Sequence, residues 1–360
     1  MTSLSAALEH HGVVLLDGGL ATELEARGAD LGDDLWSARL LLENPDLIRR
    51  VHLDYLRAGA RCITSASYQA TIDGFCRRGM TRQEAIDLIR SSVALACAAR
   101  EEFLITCHPH QYRGAACSGR EECPVELPGA PGGPGDGSGG PGGSGGPGSH
   151  TTGGPPAVLV AASVGPYGAY LADGSEYTGR YDLDRAGLLR FHRERWRVLA
   201  ESGADVLACE TIPSAPEARA LMELVAESPG VETWFSFSCG SETTLRDGTP
   251  IVELAAELER LDQVVAIGVN CCAPTHVPGL IEEVRGVTGK PVVVYPNSGE
   301  SYDTESRCWV GEREPGDFGA AAVEWVGAGA SLVGGCCRTG PAHVGAVRAA
   351  LERAGLLPGR

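Results

Sequence analysis

A (β/α)8 barrel is the fold class this 360-residue sequence predicts, and three observations predict it. Short apolar runs alternate with longer stretches of helical periodicity about eight times, the signature of parallel strands joined by helical crossovers. The length suits a single closed barrel of that kind. Polar residues also recur where the apolar runs end, and in such a barrel those ends form one functional face. An open doubly wound sheet is the competing arrangement, but no G-x-G-x-x-G follows the first run.

The elements justify the prediction in order. Val13–Leu16 reads as a buried strand that breaks at Asp17-Gly-Gly19. Pro45 opens a helix over Asp46–Ala58, with Leu47, Ile48, Val51, Tyr55 and Leu56 at helical spacing and Gly59 as its stop. Cys62–Ser67 is the second strand. A helix over Thr81–Arg100 follows, with Thr81 as N-cap and Glu84 completing a capping box. Later strands are expected at Val158–Ser163, Asp205–Glu210, Thr233–Ser238, Val264–Val269, Pro291–Tyr295 and Ser331–Val333. Their helices are expected at Asp184–Glu201, Ala215–Glu227, Ile251–Leu261, Val277–Val287, Gly316–Val326 and Ala342–Ala354.

One stretch breaks the alternation. Residues 107–156 are rich in Gly and Pro and have little to bury, so they are expected to form a disordered surface insertion. The barrel then comprises residues 1–106 and 157–360. Cys107, Cys117, Cys123, His108 and His110 flank the insertion without the spacing of a common zinc site.

Composition narrows the function. Hydrophobic content of 43% and charged content of 21% suit a globular chain with a large core. The formal net charge of -17 argues against nucleic acid or an anionic membrane as partner and tolerates a cationic small substrate. The N-terminal residues lack a basic start followed by an apolar run, and no apolar segment reaches the ~20 residues of a membrane helix. Thirteen cysteines, an odd number in a long chain, suit a reducing compartment and thiol or metal chemistry, so a cytoplasmic location is expected.

Two cysteine pairs, Cys271-Cys272 and Cys336-Cys337, sit where strands end. Adjacent strand residues point to opposite faces, so Cys336 and Cys337 share a metal only if the pleat breaks. Gly334 and Gly335 are read as supplying that break through backbone freedom. A cysteine is more often a small buried hydrophobe than a ligand. The placement of Asp17, Ser65, Ser163, Glu210, Ser238, Asn270, Cys271, Asn297, Cys336 and Cys337 at strand ends tips the reading toward zinc on Cys271, Cys336 and Cys337. His192, in a charged helix, is expected to be solvated, and Trp196, Trp234 and Trp325 to pack internally. Trp309, in the loop after the seventh strand, is a candidate lid residue.

Several motifs together carry a family likeness: Asp17-Gly-Gly-Leu-Ala-Thr-Glu-Leu-Glu25, Ser163-Val-Gly-Pro-Tyr-Gly-Ala169, Leu171-Ala-Asp-Gly-Ser-Glu-Tyr177, Glu210-Thr211, Gly268-Val-Asn-Cys271 and Gly334-Gly-Cys-Cys-Arg-Thr339. This set resembles the zinc-dependent homocysteine S-methyltransferases, in particular the branch using S-methylmethionine. The likeness covers nearly the whole chain outside the Gly/Pro insertion. It implies that Cys271, Cys336 and Cys337 hold a catalytic Zn2+. It also implies that Asp17, Gly18, Glu210 and Asn270 fall in the homocysteine pocket. Cys272 stands where the family usually has a non-ligand.

Three thiolates on zinc leave a fourth position for a substrate thiol, which the metal deprotonates. The resulting negative charge suits a cationic sulfonium or ammonium methyl donor. S-Methylmethionine, or less efficiently S-adenosylmethionine, is the expected donor to homocysteine, and two other readings stand beside it. One is a betaine or related onium donor, and the other a barrel that binds zinc or a thiol amino acid without catalysis.

Overall fold

The computed structural model describes residues 3–30, 37–107, 157–303, 308–310 and 315–357, of which 37, 301–303, 308–310 and 315–316 are described by backbone alone. Residues 1–103 and 157–360 pack as one unit, and 104–156 form a second, of which 104–107 are described. The expected disordered insertion and its cysteines beyond Cys107 therefore lie outside the described residues, as does the side chain of Trp309.

Eight strands build one parallel sheet: β1 (Val14–Leu15), β2 (Cys62–Thr64), β3 (Leu159–Val164), β4 (Val206–Ile212), β5 (Thr233–Phe237), β6 (Val264–Asn270), β7 (Val292–Tyr295) and β10 (Ala330–Val333). Between β7 and β10 an antiparallel ribbon pairs β8 (Ser301–Asp303) with β9 (Cys308–Val310). The order β1-β10-β7-β6-β5-β4-β3-β2 places first and last strands side by side. A parallel bridge from Leu16 to Cys62 joins the two edges. The Arg61 amide donates to the Leu15 carbonyl at 2.7 Å and the Asp17 amide to the Cys62 carbonyl at 3.1 Å, so the barrel closes.

Strand periodicity decides what fills it. Val14, Leu16, Cys62, Leu159, Ala161, Val206, Ala208, Trp234, Ala266, Val293, Tyr295 and Leu332 form one buried cluster, and along each strand they follow the two-residue repeat of an inward face. A short helix, Leu4–His11, adds Leu4, Ala7 and Leu8 to the same cluster, and the Leu4 amide donates to Glu232 at 2.7 Å just before β5. That end of the barrel is therefore plugged by apolar side chains. Continuing the inward repeat toward the strands' C-terminal ends gives Ser163, Glu210, Ser236, Gly268, Asn270, Gly334 and Cys336. The polar site is the direct extension of the core's own periodicity.

The expected helices appear with small shifts, at Pro45–Ala58, Arg82–Cys107, Arg185–Ala200, Ala215–Ala226, Ile251–Leu258, Val277–Arg285, Pro315–Ala328 and Pro341–Arg353. The capping box forms as the residue types require: Thr81 N–H donates to Glu84 at 2.7 Å, and Glu84 N–H to Thr81 Oγ1 at 3.3 Å. Trp196, Trp234 and Trp325 are buried, as expected. Short elements at Leu20–Ala26, Ser37–Glu43, Ile72–Arg77, Tyr167–Leu171 and Ser175–Tyr177 escape periodicity because they are too short to show it.

The expectation for His192 is overturned. Its ring is fully buried, with Nδ1 at 3.0 Å from Arg195 Nη2 and Nε2 at 2.8 Å from Glu217. Since the guanidinium only donates, the proton sits on Nε2 and the ring is neutral, consistent with burial lowering its pKa. Arg195 also donates to the carbonyls of Gly165 and Tyr68, and Glu217 accepts from the Tyr167 amide at 2.6 Å. The trio thus ties the loop after β3 to the loop after β2.

Candidate functional site

The end of β7 is the hub on which both cysteine loops are fastened. Cys271 N–H donates to the Tyr295 carbonyl at 3.3 Å and Cys336 N–H to the Pro296 carbonyl at 2.8 Å. Returning from the same segment, Asn297 N–H donates to Cys272 and Ser298 N–H to Cys337, at 3.0 and 3.1 Å. The strand order β6-β7-β10 therefore fixes the two loops on either side of one segment.

Backbone strain finishes the placement. Inward parity falls on Asn270, so Cys271 as the next residue would point away. A left-handed φ of 50° at Cys271 breaks that alternation. Arg338, just after the second pair, is left-handed as well, with φ 66°. Gly334 and Gly335, by contrast, are not left-handed, which corrects their expected role. A Cβ on Gly334 would lie 2.6 Å from Leu16 Cβ, and one on Gly335 2.3 Å from Thr339 Oγ1. Gly334 permits close approach of the end of β10 to β1 and Gly335 makes room for the Thr339 side chain, while the turning is done by Cys271 and Arg338.

The outcome is a cluster of Cys271, Cys336 and Cys337 with all three sulfurs within 4.8 Å of one another. The Cys271–Cys337 and Cys336–Cys337 separations are 3.7 and 4.0 Å. Sulfurs ~2.3 Å from a tetrahedral zinc stand ~3.8 Å apart, so the donor set and its spacing fit that ion. Hydrogen bonds from Cys336 and Cys337 hold the Cys271 thiol well below its usual range, while theirs rise because of it. Binding a cation between sulfurs gathered this closely would draw the protons off Cys336 and Cys337 as well. Cys272 is fully buried outside the cluster, and burial pushes its thiol up to about 12.

The sulfurs open onto a cavity of about 140 Å³ whose wall includes Asp17, Gly18, Thr64, Tyr68, Glu176, Tyr177, Glu210, Thr211 and Tyr295. Asp17 accepts from Thr64 N–H at 2.7 Å and Thr64 Oγ1 at 3.2 Å. Burial pushes its carboxyl up to about 8, and the nearby Glu210 charge adds to the rise. Glu210 accepts from Ser163 Oγ and, at 3.2 Å, from Tyr295 OH. Burial raises it to about 7 even so. Gly18 allows close packing, since a Cβ there would sit 2.9 Å from the Thr339 carbonyl.

Asn270 behaves differently from the other expected pocket residues. It is fully buried and off the pocket wall, with Oδ1 accepting from Thr211 N–H and Nδ2 donating to Thr211 Oγ1, both at 2.7 Å. Nδ2 also lies 3.8 Å from Cys336 Sγ. Its amide supports the pocket from behind. Ser238 and Asn297, also noted at strand ends, are off the wall as well. Sequence reasoning missed Tyr68, Glu176, Tyr177, Thr211 and Tyr295 as wall residues. Inward parity from Val293 would have found Tyr295; Thr211 is turned toward the pocket by its left-handed φ of 61° within β4, and Tyr68, Glu176 and Tyr177 sit on loops or turns.

A closed parallel barrel whose C-terminal rim joins a three-thiol cluster able to hold a metal ion to buried carboxyls defines a (β/α)8 enzyme of the metal-dependent kind. The family model for homocysteine S-methyltransferase matches residues 14–351. A homocysteine S-methyltransferase of Escherichia coli is 44% identical, spanning 96% of this chain and 97% of the relative. One from Bacillus subtilis is 42% identical over 96% of each, and a selenocysteine Se-methyltransferase of Brassica oleracea is 45% identical over 94% of this chain and 89% of its own. Among solved structures, the homocysteine methyltransferase MmuM from Escherichia coli in its metallated form superposes with a TM-score of 0.75 at 41% identity, covering 96% of this chain and 98% of that one. The chain belongs to the homocysteine S-methyltransferase family. No helix among the described residues is long and apolar enough to cross a membrane.

Proposed function

We propose that this site transfers a methyl group from S-methylmethionine to the thiol of L-homocysteine, forming methionine. One observation carries the reading: three convergent thiols share a small pocket with the carboxyls of Asp17, Glu176 and Glu210, and no Lys, Arg or His is among the described residues lining it. Such a wall suits substrates that bring positive charge.

Zinc, the cofactor of this family, would be held by Cys271, Cys336 and Cys337 and would supply the Lewis acidity that keeps a substrate thiol deprotonated. The chain's own groups do the rest. Asp17 and Glu210 are suited to hold the α-ammonium of homocysteine by charge-assisted hydrogen bonds. Thr64 orients the first, while Ser163 and Tyr295 orient the second. The backbone amides near Gly18, on the pocket wall, are suited to meet the substrate's carboxylate. The methyl leaves a sulfonium that becomes neutral and joins a sulfur that arrives negative. Charge is consumed in the step, and a small pocket that excludes water favours it.

Methionine formation measured with S-methylmethionine, S-adenosylmethionine and betaine side by side tests the reading. S-Methylmethionine should be the best donor, and Cys336→Ser should lose bound zinc and methyl transfer together. Zinc-loaded protein that makes no methionine from any of the three would leave only the non-catalytic alternative.

A further inference from the structure

Of the three carboxyls on the pocket wall, Asp17 and Glu210 are engaged by neighbouring protein donors, and Glu176 is the exception. It lies in a single 3-10 turn, Ser175–Tyr177, is 6% exposed, and its buried Oε2 has no hydrogen-bond partner among the described residues, its own backbone amide being the one donor acting on the carboxyl. The turn is held in place, since a Cβ on Gly168 would lie 2.4 Å from the Glu176 amide nitrogen. Tyr68 and Tyr177, which sense the Glu176 charge, line the same pocket as the thiol cluster. Among the described residues the charged side chain acting on Glu176 is Asp173, of the same sign, and burial raises the Glu176 carboxyl to about 7. A desolvated carboxylate with one oxygen left unpartnered is costly unless a ligand supplies a donor.

We propose that Glu176 selects the methyl donor: its carboxylate takes an ammonium group of an amino-acid sulfonium, with Tyr68 and Tyr177 flanking the cation. This rests on the methyltransferase reading above. An ammonium offers N–H donors that a buried carboxylate needs, which a quaternary ammonium or a sulfonium without an amine does not. Aromatic faces attract any onium, so the tyrosines give cation affinity and Glu176 gives the choice among cations.

Steady-state kinetics of wild type and Glu176→Gln, with S-methylmethionine and with dimethylsulfonioacetate, a sulfonium lacking an amine, test the inference. The variant should raise the KM for S-methylmethionine by about tenfold or more, as expected for a charge-assisted hydrogen bond, with the KM for homocysteine and kcat moved less than about twofold. Its kcat/KM for dimethylsulfonioacetate should match wild type. Direct calorimetric binding of S-methylmethionine should weaken by the same factor without turnover. Equal losses on both donors, an unchanged S-methylmethionine KM, or a raised homocysteine KM would overturn the role of Glu176 alone. A wild type that forms no methionine would overturn it together with the reading on which it rests.

Discussion

Asn270 clasps Thr211 with two hydrogen bonds of 2.7 Å, one to its backbone N–H and one from its amide to the hydroxyl. Thr211 is β-branched and left-handed, with φ 61°, a conformation that persists only when its surroundings hold it. The clasp therefore fixes the residue that follows Glu210. Asn270→Ala should cost about 2–4 kcal/mol, from two buried bonds and an orphaned amide. It should also lower kcat/KM through misplacement of Glu210 and Cys271, while Asn270→Asp, which keeps the acceptor, should retain part of the stability. Urea unfolding and methyl-transfer assays on both variants check this.

Asp17, Glu176 and Glu210 give the metal-free, substrate-free protein a defined pH dependence. Burial raises them from 3.8, 4.5 and 4.5 to about 8, 7 and 7. The folded chain keeps protons that the unfolded chain has already released, so their contribution is full below pH 4 and is lost as pH rises through 7 to 8. Urea unfolding should show a less stable protein at pH 8 than at pH 5. Asp17→Asn, which cannot ionise, should flatten that slope. An unchanged slope would mean the carboxyl is ionised throughout.

Arg195 is buried with its charge shared among the carbonyls of Gly165 and Tyr68 and the His192-Glu217 pair. Replacing it by Met leaves Glu217 and two carbonyls without their cation, so Arg195→Met should lose about 3–5 kcal/mol. The loop carrying Tyr68 should loosen with it. Hydrogen exchange at Tyr68 to Gln69 and at Val164 to Gly168 should rise in the variant while the helix at Val277–Arg285 stays protected.

Gly268 and Gly345 make an opposed pair. A Cβ on Gly268 would stand 1.9 Å from the Val293 carbonyl oxygen across the β6–β7 ladder, whereas one on Gly345, inside the helix Pro341–Arg353, meets nothing within 4 Å. Gly268→Ala should destabilise by more than ~3 kcal/mol or prevent folding, since backbone has to move. Gly345→Ala should stabilise by about 0.5–1 kcal/mol. Thermal melts of the two variants separate these outcomes.

Much of this was legible in the sequence because barrel strands and helices have fixed periods. The β-strand runs located the rim, and the rim located Cys271, Cys336, Cys337, Asp17 and Glu210. Legibility failed where orientation depended on one torsion or one loop. Nothing in Gly334-Gly-Cys-Cys337 says that the left-handed residues are Cys271 and Arg338. Asn270 is the right polar type at a strand end, yet its amide is spent on Thr211. His192 looked solvated among charges, although Leu188, His192, Arg195 and Leu199 share the buried helical stripe. Glu176 stands on a turn that has no period to betray it.

The thiol cluster also sets a timetable for synthesis. Cys271 and Cys337 are 66 positions apart, and the later one belongs to the final strand-helix unit. A chain emerging from the ribosome exposes Cys271 long before its partners exist, and the rim cannot be completed until β10 slots between β1 and β7. Acquisition of the ion is thereby a seal on the finished molecule: a fragment truncated before Cys336 has one of the three sulfurs and no means of holding it to a neighbour.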